Sequence, residues 1–283
     1  MRTLLTPSLA FLVACAGAGG FDDDDSSPPA DDDDAAAFVC GDASGGSGGA
    51  EGLSWHEVPG FGTPGDPVPD YEIAVYLPPG ADPAEPLPLL MITARRMPDT
   101  RAMNEGIIFG DPPNLSADTL GDDEGWIVAL PLPGPAGEGL NWTDSPTDQD
   151  YWNAAVDLLE ANYNVDRDRI WMAGSSAGGT ATVYLGWRHA PRIAAIVNHA
   201  GRNPFEGDWP DTPWDDDCAG LFIHGEDDTV VSTAAVEDAA TMWEDAGQVT
   251  ERAYDYPSGH AWDSVEMAAL MAEFLPRTCN RSE

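Results

Sequence analysis

Ile170-Trp171-Met172-Ala173-Gly174-Ser175-Ser176-Ala177-Gly178-Gly179 is the stretch whose reading decides the fold. Ile170–Ala173 is a short apolar run suited to a buried strand, and Ala177–His189 reads as a helix that stops before Pro191. Between them Gly174, Ser176 and Gly178 fit the pattern G-x-S-x-G. Small residues let the chain turn sharply from strand to helix, so a serine there projects at the sheet's carboxyl edge. The helix N-terminus that follows aims its N–H groups at developing negative charge. Alone the five-letter pattern is common, and a Gly/Ser-rich turn without chemistry has the same letters. Flanked by a strand and a helix, it makes Ser176 a candidate nucleophile.

A serine hydroxyl is a poor nucleophile unless a base takes its proton and an acid orients that base. Both follow in the chain. His224-Gly225-Glu226-Asp227-Asp228-Thr229-Val230-Val231 comes directly after the apolar run Leu221–Ile223. Ser258-Gly259-His260-Ala261-Trp262 comes directly after the strand-like Val249–Tyr256. Each lies at the carboxyl end of a strand, the edge to which Ser176 belongs, so distant segments can converge there.

Around these motifs, strand and helix patterns alternate from about residue 53. Tyr71–Leu77 is rich in β-formers and stops at Pro78-Pro79-Gly80. Leu87–Thr93 and Trp126–Leu130 are continuous apolar runs, as in strands buried on both faces. Ile193–Val197 is a further strand. Tyr151–Asn162 has helical spacing, Ser232–Ala246 is a helix ended by Gly247, and Asp263 with Glu266 caps a last helix reaching about Leu275. The expected class is α/β, a mainly parallel central sheet with helices on both faces. No internal repeat or second domain is visible.

From about residue 70 to 275 the chain resembles the α/β-hydrolase superfamily, and within it the secreted polyhydroxybutyrate depolymerase and feruloyl esterase group. The likeness rests on several segments. They are Tyr163–Ile170 leading into Ser176-Ala177-Gly178-Gly179, Ala200-Gly201 after the next strand, the His-Gly-x-x-Asp-x-x-Val of His224–Val231, Gly259-His260-Ala261-Trp262, and Asn141-Trp142. The resemblance implies Ser176 as nucleophile, Asp228 as acid and His260 as base, with Glu226 and Asp227 adjacent to the fifth-place aspartate. It implies a serine esterase working through an acyl-enzyme, with the Ala177 N–H donating to the oxyanion. Such enzymes usually carry His-Gly after the strand equivalent to Leu87–Thr93. Here Thr93-Ala94-Arg95-Arg96-Met97 stands instead, with the backbone N–H of Arg95 as the second expected donor. That altered segment motivates one rival, a degenerate hydrolase acting as a surface binding lipoprotein. A prolyl-oligopeptidase-like peptidase, which shares the Gly-x-Ser-x-Gly-Gly turn, is the other.

Trp142, Trp209 and Trp262 are the aromatic candidates for a substrate pocket; Trp214 shares the Asn203–Asp217 stretch with Trp209. His56 is expected to precede the sheet, His189 to sit as a cation at a helix C-terminus, and His199 and His224 to serve structure near strand ends. No pair of these has metal-ligand spacing, and neither a metal nor another cofactor is expected.

The ends of the chain point outside the cytoplasm. After Arg2 comes an apolar run closing on Leu12-Val13-Ala14-Cys15, which resembles a bacterial lipobox; residues 1–14 are then a signal peptide and Cys15 the lipidated residue. Ala16 after it implies outer-membrane sorting in a Gram-negative cell. Residues 15–50, with the runs Asp22–Asp25 and Asp31–Asp34, read as an acidic tether, and 51–283 as the hydrolase domain. Lys+Arg is 12 against Asp+Glu 50, a net charge of −38, and all the basic residues are arginine. That balance excludes a nucleic-acid partner, Schiff-base lysine chemistry and electrostatic lipid binding, leaving membrane attachment to the Cys15 lipid. Of the other cysteines, Cys218 and Cys279 are expected at one end of the domain and bonded, with Cys40–Cys279 the rival pairing.

Overall fold

The computed structural model describes residues 40–58, 71–93, 117–131, 146–205 and 218–279. They form an eight-stranded sheet in the order β1-β2-β4-β3-β5-β6-β7-β8. The strands are β1 Gly52–Val58, β2 Tyr71–Leu77, β3 Leu87–Thr93, β4 Ile127–Pro131, β5 Val165–Ser175, β6 Ala195–His199, β7 Ala219–Ile223 and β8 Thr250–Ala253. β1 and β2 run antiparallel to their neighbours, and from β4 to β8 every pairing is parallel. The helices are α1 Ala117–Glu124, α2 Pro146–Asn162, α3 Ala177–His189, α4 Thr233–Asp245 and α5 Ser264–Phe274.

The apolar strands divide their side chains between two layers, because successive residues point to opposite faces. Leu89, Met91, Ile170, Met172, Ile196 and Phe222 meet one face, where α2, α3 and α4 supply Trp152, Val156, Leu185 and Trp243. Leu90, Ile92, Trp171, Ala173, Val197, Leu221 and Ile223 meet the other, covered by Leu120 of α1 and Met267, Met271 and Phe274 of α5. The central parallel strands β3, β4, β6 and β7 are therefore apolar along almost their whole length, whereas β8 at the edge reads Thr250-Glu251-Arg252-Ala253. The parallel strands deliver their carboxyl ends, and the turns that follow, to one edge.

Three expectations are corrected at the periphery. His56 lies within β1, paired opposite Ile73, where its Nε2 is 2.6 Å from the Tyr163 hydroxyl. Residues 40–50, expected to be the end of a tether, are bound to the domain. Ser44 N–H donates to Val165 O and Arg167 N–H to Asp42 O, both at 2.8 Å, while Gly41 and Asp42 N–H donate to the Asp168 carboxylate. Gly49 completes the contact: its φ is 66°, and a Cβ there would enter the Tyr163 ring.

The third correction concerns the disulfide. Cys40 is bonded to Cys279, with Cα atoms 6.1 Å apart, and Cys218 is a free, buried thiol. Cys218 belongs to the layer beneath α4, where its N–H donates to Gln248 Oε1 and its carbonyl accepts from Trp243 Nε1. Leu275, shortly before Cys279, packs in the opposite layer. Cys218 is enclosed in the α4 layer, on the face opposite the one that Leu275 packs against, and Cys279 meets Cys40 instead.

Candidate active site

Ser176 stands at the turn from β5 to α3 with φ 57° and ψ −118°, a region that L-residues rarely adopt. What holds it there is local. Its N–H donates to the His199 carbonyl at 2.8 Å, and its own carbonyl accepts from Thr180 N–H at 3.0 Å. Gly174 is the glycine the turn requires, since a Cβ would collide with the Thr93 hydroxyl and the Gly178 backbone. Thr93, at the end of β3 and buried, brings its Oγ1 to 2.8 Å from Gly178 O, 3.1 Å from Ala173 O and 2.8 Å from Thr182 Oγ1. The segment that departs from the His-Gly pattern thus begins with a residue that braces the turn.

His260 and Asp228 reach the same edge from the loops after β8 and β7. Ser176 Oγ lies 3.1 Å from His260 Nε2, and His260 Nδ1 lies 2.8 Å from Asp228 Oδ2. The two loops approach closely at Gly225 and Gly259, where a Cβ on Gly225 would overlap the Gly259 backbone. Asp228 is the acid that the fold turns inward: its side chain is 0% exposed, whereas neighbouring Glu226 and Asp227 are exposed. Its other oxygen accepts N–H bonds from Val230 at 2.7 Å and Val231 at 3.0 Å. Burial pushes the Asp228 carboxyl up, but the Val231 N–H, the His260 ring and the Val230 N–H outweigh it and hold the group below its ordinary value. The chemical capacity follows: a hydroxyl, a base with a free face toward it, and a buried carboxylate to carry the charge the base acquires.

Two further histidines face this cluster. His224 is buried with Nδ1 3.8 Å from Asp228 Oδ2, and burial lowers its pKa against the attraction of that carboxylate. His199 is also fully buried, with Nδ1 2.9 Å from Ser175 Oγ. Burial, and then the nearby His260, hold it down to about 4. Both lie at the ends of central strands, and that position is the signal in the sequence that marks them. His189 does not act as the expected cation. It stacks on Trp152 at 4.8 Å, and burial, then Arg192 and Arg188, lower its pKa to about 4. Trp262, two residues past His260, is half-buried and packs edge-on to His199 at 5.8 Å. Ala177 opens α3 directly after Ser176. Arg95, Trp142, Trp209, Trp214 and Cys15 lie outside the described residues. Among the described residues, no group of three or more His, Cys, Asp or Glu is arranged to hold a metal ion.

A family model described as phospholipase/carboxylesterase matches residues 151–278, the part that holds all of this cluster. The chain is 27% identical over 168 residues to a bifunctional acetylxylan esterase/xylanase of Neocallimastix patriciarum, covering 59% of this chain and 22% of that one. It is 33% identical over 87 residues to a dipeptidyl-peptidase 5 of Porphyromonas gingivalis, covering 28% and 13%. The chain spans less than a quarter of the length of either relative. A thermostable esterase superposes with a TM-score of 0.56 at 18% identity, over 80% of this chain and 63% of that one. Likeness at such identity speaks to the fold alone, and the fold is that of the α/β-hydrolases.

Proposed function

We propose that this α/β-hydrolase-fold chain is a serine hydrolase of carboxylic esters that works through an acyl-enzyme. The observation carrying the reading is the unbroken line from Ser176 Oγ through His260 to the buried Asp228. Ser176 Oγ attacks the ester carbonyl as its proton passes to His260 Nε2, and Asp228 stabilises the resulting imidazolium through Nδ1. The Ala177 N–H, at the start of α3, and the backbone N–H of Arg95 donate to the oxyanion. His260 returns the proton to the leaving alcohol, then takes one from the water that releases the acid. The matched phospholipase/carboxylesterase model supports an ester substrate, as does the likeness to a relative whose two activities include acetylxylan esterase. Polyhydroxyalkanoate, feruloyl and related acyl esters are the classes proposed, with Trp142, Trp209 and Trp262 as pocket residues. The enzyme would act outside the cytoplasm, held by a lipid on Cys15, and mass spectrometry of the mature N-terminus tests that anchor.

A peptidase reading has its own support, the match to a dipeptidyl-peptidase 5. Labelling by a fluorophosphonate, followed by rates on p-nitrophenyl acetate, feruloyl esters, hydroxybutyrate oligomers and aminoacyl anilides, separates the readings. Label on Ser176 with ester turnover is expected. Turnover of anilides alone moves the assignment to a peptidase, and folded protein that takes no label overturns both in favour of a binding lipoprotein.

A further inference from the structure

His199 is not part of the Ser176–His260–Asp228 line, yet it touches both of the segments whose spacing that line depends on. Its carbonyl accepts the Ser176 N–H at 2.8 Å, and its ring Nδ1 is 2.9 Å from the hydroxyl of Ser175. Both residues of the strained turn are thereby tied to the end of β6. The same ring packs edge-on against Tyr256, with centroids 4.9 Å apart at 61°, and against Trp262 at 89°. Tyr256 and Trp262 flank the His260 loop. Tyr256 in turn accepts the Asp263 N–H and donates back to the Asp263 carbonyl at 3.2 Å, which closes that loop at the cap of α5.

We infer that His199 is a positioning residue that sets the distance between the nucleophile turn and the His260 loop, and so the reach of His260 Nε2 to Ser176. The inference rests on the proposed serine chemistry. His199 has the right chemistry for the place. A polar atom at the Nδ1 position is needed for Ser175, and a flat ring is needed between Tyr256 and Trp262. Its Nε2 is buried, and although the Asp228 carboxylate and the Gly259 backbone favour a second proton, burial and the nearby His260 outweigh them and keep the ring neutral. The charged or titratable groups around it are His260, Asp228, His224 and Tyr256. The neutral ring adds no positive charge beside His260 when that residue becomes an imidazolium in the reaction, where like charge at short range would raise the barrier.

The test separates the two contacts. His199→Phe keeps a ring but loses the bond to Ser175, and His199→Asn keeps a polar atom near Nδ1 but loses the ring. Ser175→Ala removes only the hydroxyl partner and decides the matter should a His199 variant not fold. Parent protein that takes fluorophosphonate on Ser176 first establishes the underlying chemistry; its absence there would count against the esterase reading, not against the positioning role. With labelling in the parent, His199→Phe is expected to lower kcat by about 100-fold with KM within about threefold, because displacing a reacting pair by about 1 Å costs that much without touching binding. His199→Asn should recover part of the loss, and Ser175→Ala should lower kcat by about tenfold, with the rate of fluorophosphonate labelling falling in parallel. Folded variants whose kcat and labelling rate stay within about twofold of the parent, or whose losses fall on KM alone, overturn the inference.

Discussion

Ser176 occupies a backbone region that costs on the order of 1–3 kcal/mol for a residue with a Cβ, and the bonds from its N–H to His199 and its carbonyl from Thr180 hold it there. Removing its hydroxyl leaves those bonds intact. Ser176→Ala is therefore expected to fold normally while ester turnover falls by at least about 10⁴-fold. His260→Ala should act alike, and the double variant should lose little more than either, since the groups act as one unit; multiplicative losses in steady-state kinetics would argue for independent roles. His189 carries a different consequence. Its folded value of about 4 lies below the ordinary 6.5, so between those values the unfolded chain binds the extra proton. Stability should hold above pH 6.5 and drain away as the pH falls toward 4, by at most about 3 kcal/mol for this group, less for its residual exposure. Urea titrations from pH 7 to 4 read the summed decline, to which His199, also held down to about 4, contributes as well, and His189→Phe, which keeps the stack on Trp152, should lessen it by the His189 share. An equal decline in both proteins would remove His189 as its cause.

Between elements, the join of β3 to the nucleophile turn is the most specific. Thr93 Oγ1 sits among two carbonyls and the Thr182 hydroxyl, all buried. Thr93→Val keeps the shape and deletes the polar atom, which should cost about 1–3 kcal/mol in chemical denaturation and slow fluorophosphonate labelling. A variant as stable and as reactive as the parent would show that Gly178 and Thr182 hold the turn alone. The sequence makes the parallel strands and α3 easy to read, because buried strands need unbroken apolar runs and the G-x-S-x-G turn fixes the strand-to-helix junction. It hides β1, whose Gly52–Val58 mixes His, Ser, Glu and Trp on a half-exposed edge that, among the described residues, pairs with β2 alone. It hides α1 as well: Ala117–Glu124 carries Gly121, which the Tyr76 ring requires, and four acids with a single buried leucine in view. The first residues of β5, Val165–Arg169, look like a loop because they are charged, yet they form the bulged part of the strand to which Ala43 adds a bridge. Ser176, Asp228 and His260 meet where their motifs put them at strand ends. The inward turn of Asp228 rather than Asp227, and the bracing by Thr93 and His199, depend on loop geometry that no motif spells out.

At the scale of the whole molecule, a chain of net charge −38 folds against its own repulsion, and the 40–50 segment and the stretch after α5, both outside the central sheet, are the places where fraying would begin. The Cys40–Cys279 bond joins those places. It spans 239 residues of sequence and fixes the 40–50 segment against the start of β5, where Asp42, Ser44 and Gly49 meet Arg167, Val165 and Tyr163. Closing so long a loop removes entropy from the unfolded chain, about 5 kcal/mol in the chain-entropy description. The realised gain should be smaller, between about 2 and 5 kcal/mol, because real unfolded chains retain residual structure and already keep parts of the chain together. Cys40→Ser, Cys279→Ser and the double variant are therefore expected to share one lowered melting temperature, and reductant should bring the parent to the same value. Cys218 predicts the contrast: buried in the α4 layer and bonded to nothing through its sulfur, Cys218→Ser should destabilise by placing a hydroxyl in that layer, and reductant should lower its melting temperature further by the parent's full increment. Reductant without effect on the parent, or an effect abolished by Cys218→Ser rather than by Cys40→Ser, would place the covalent tie elsewhere.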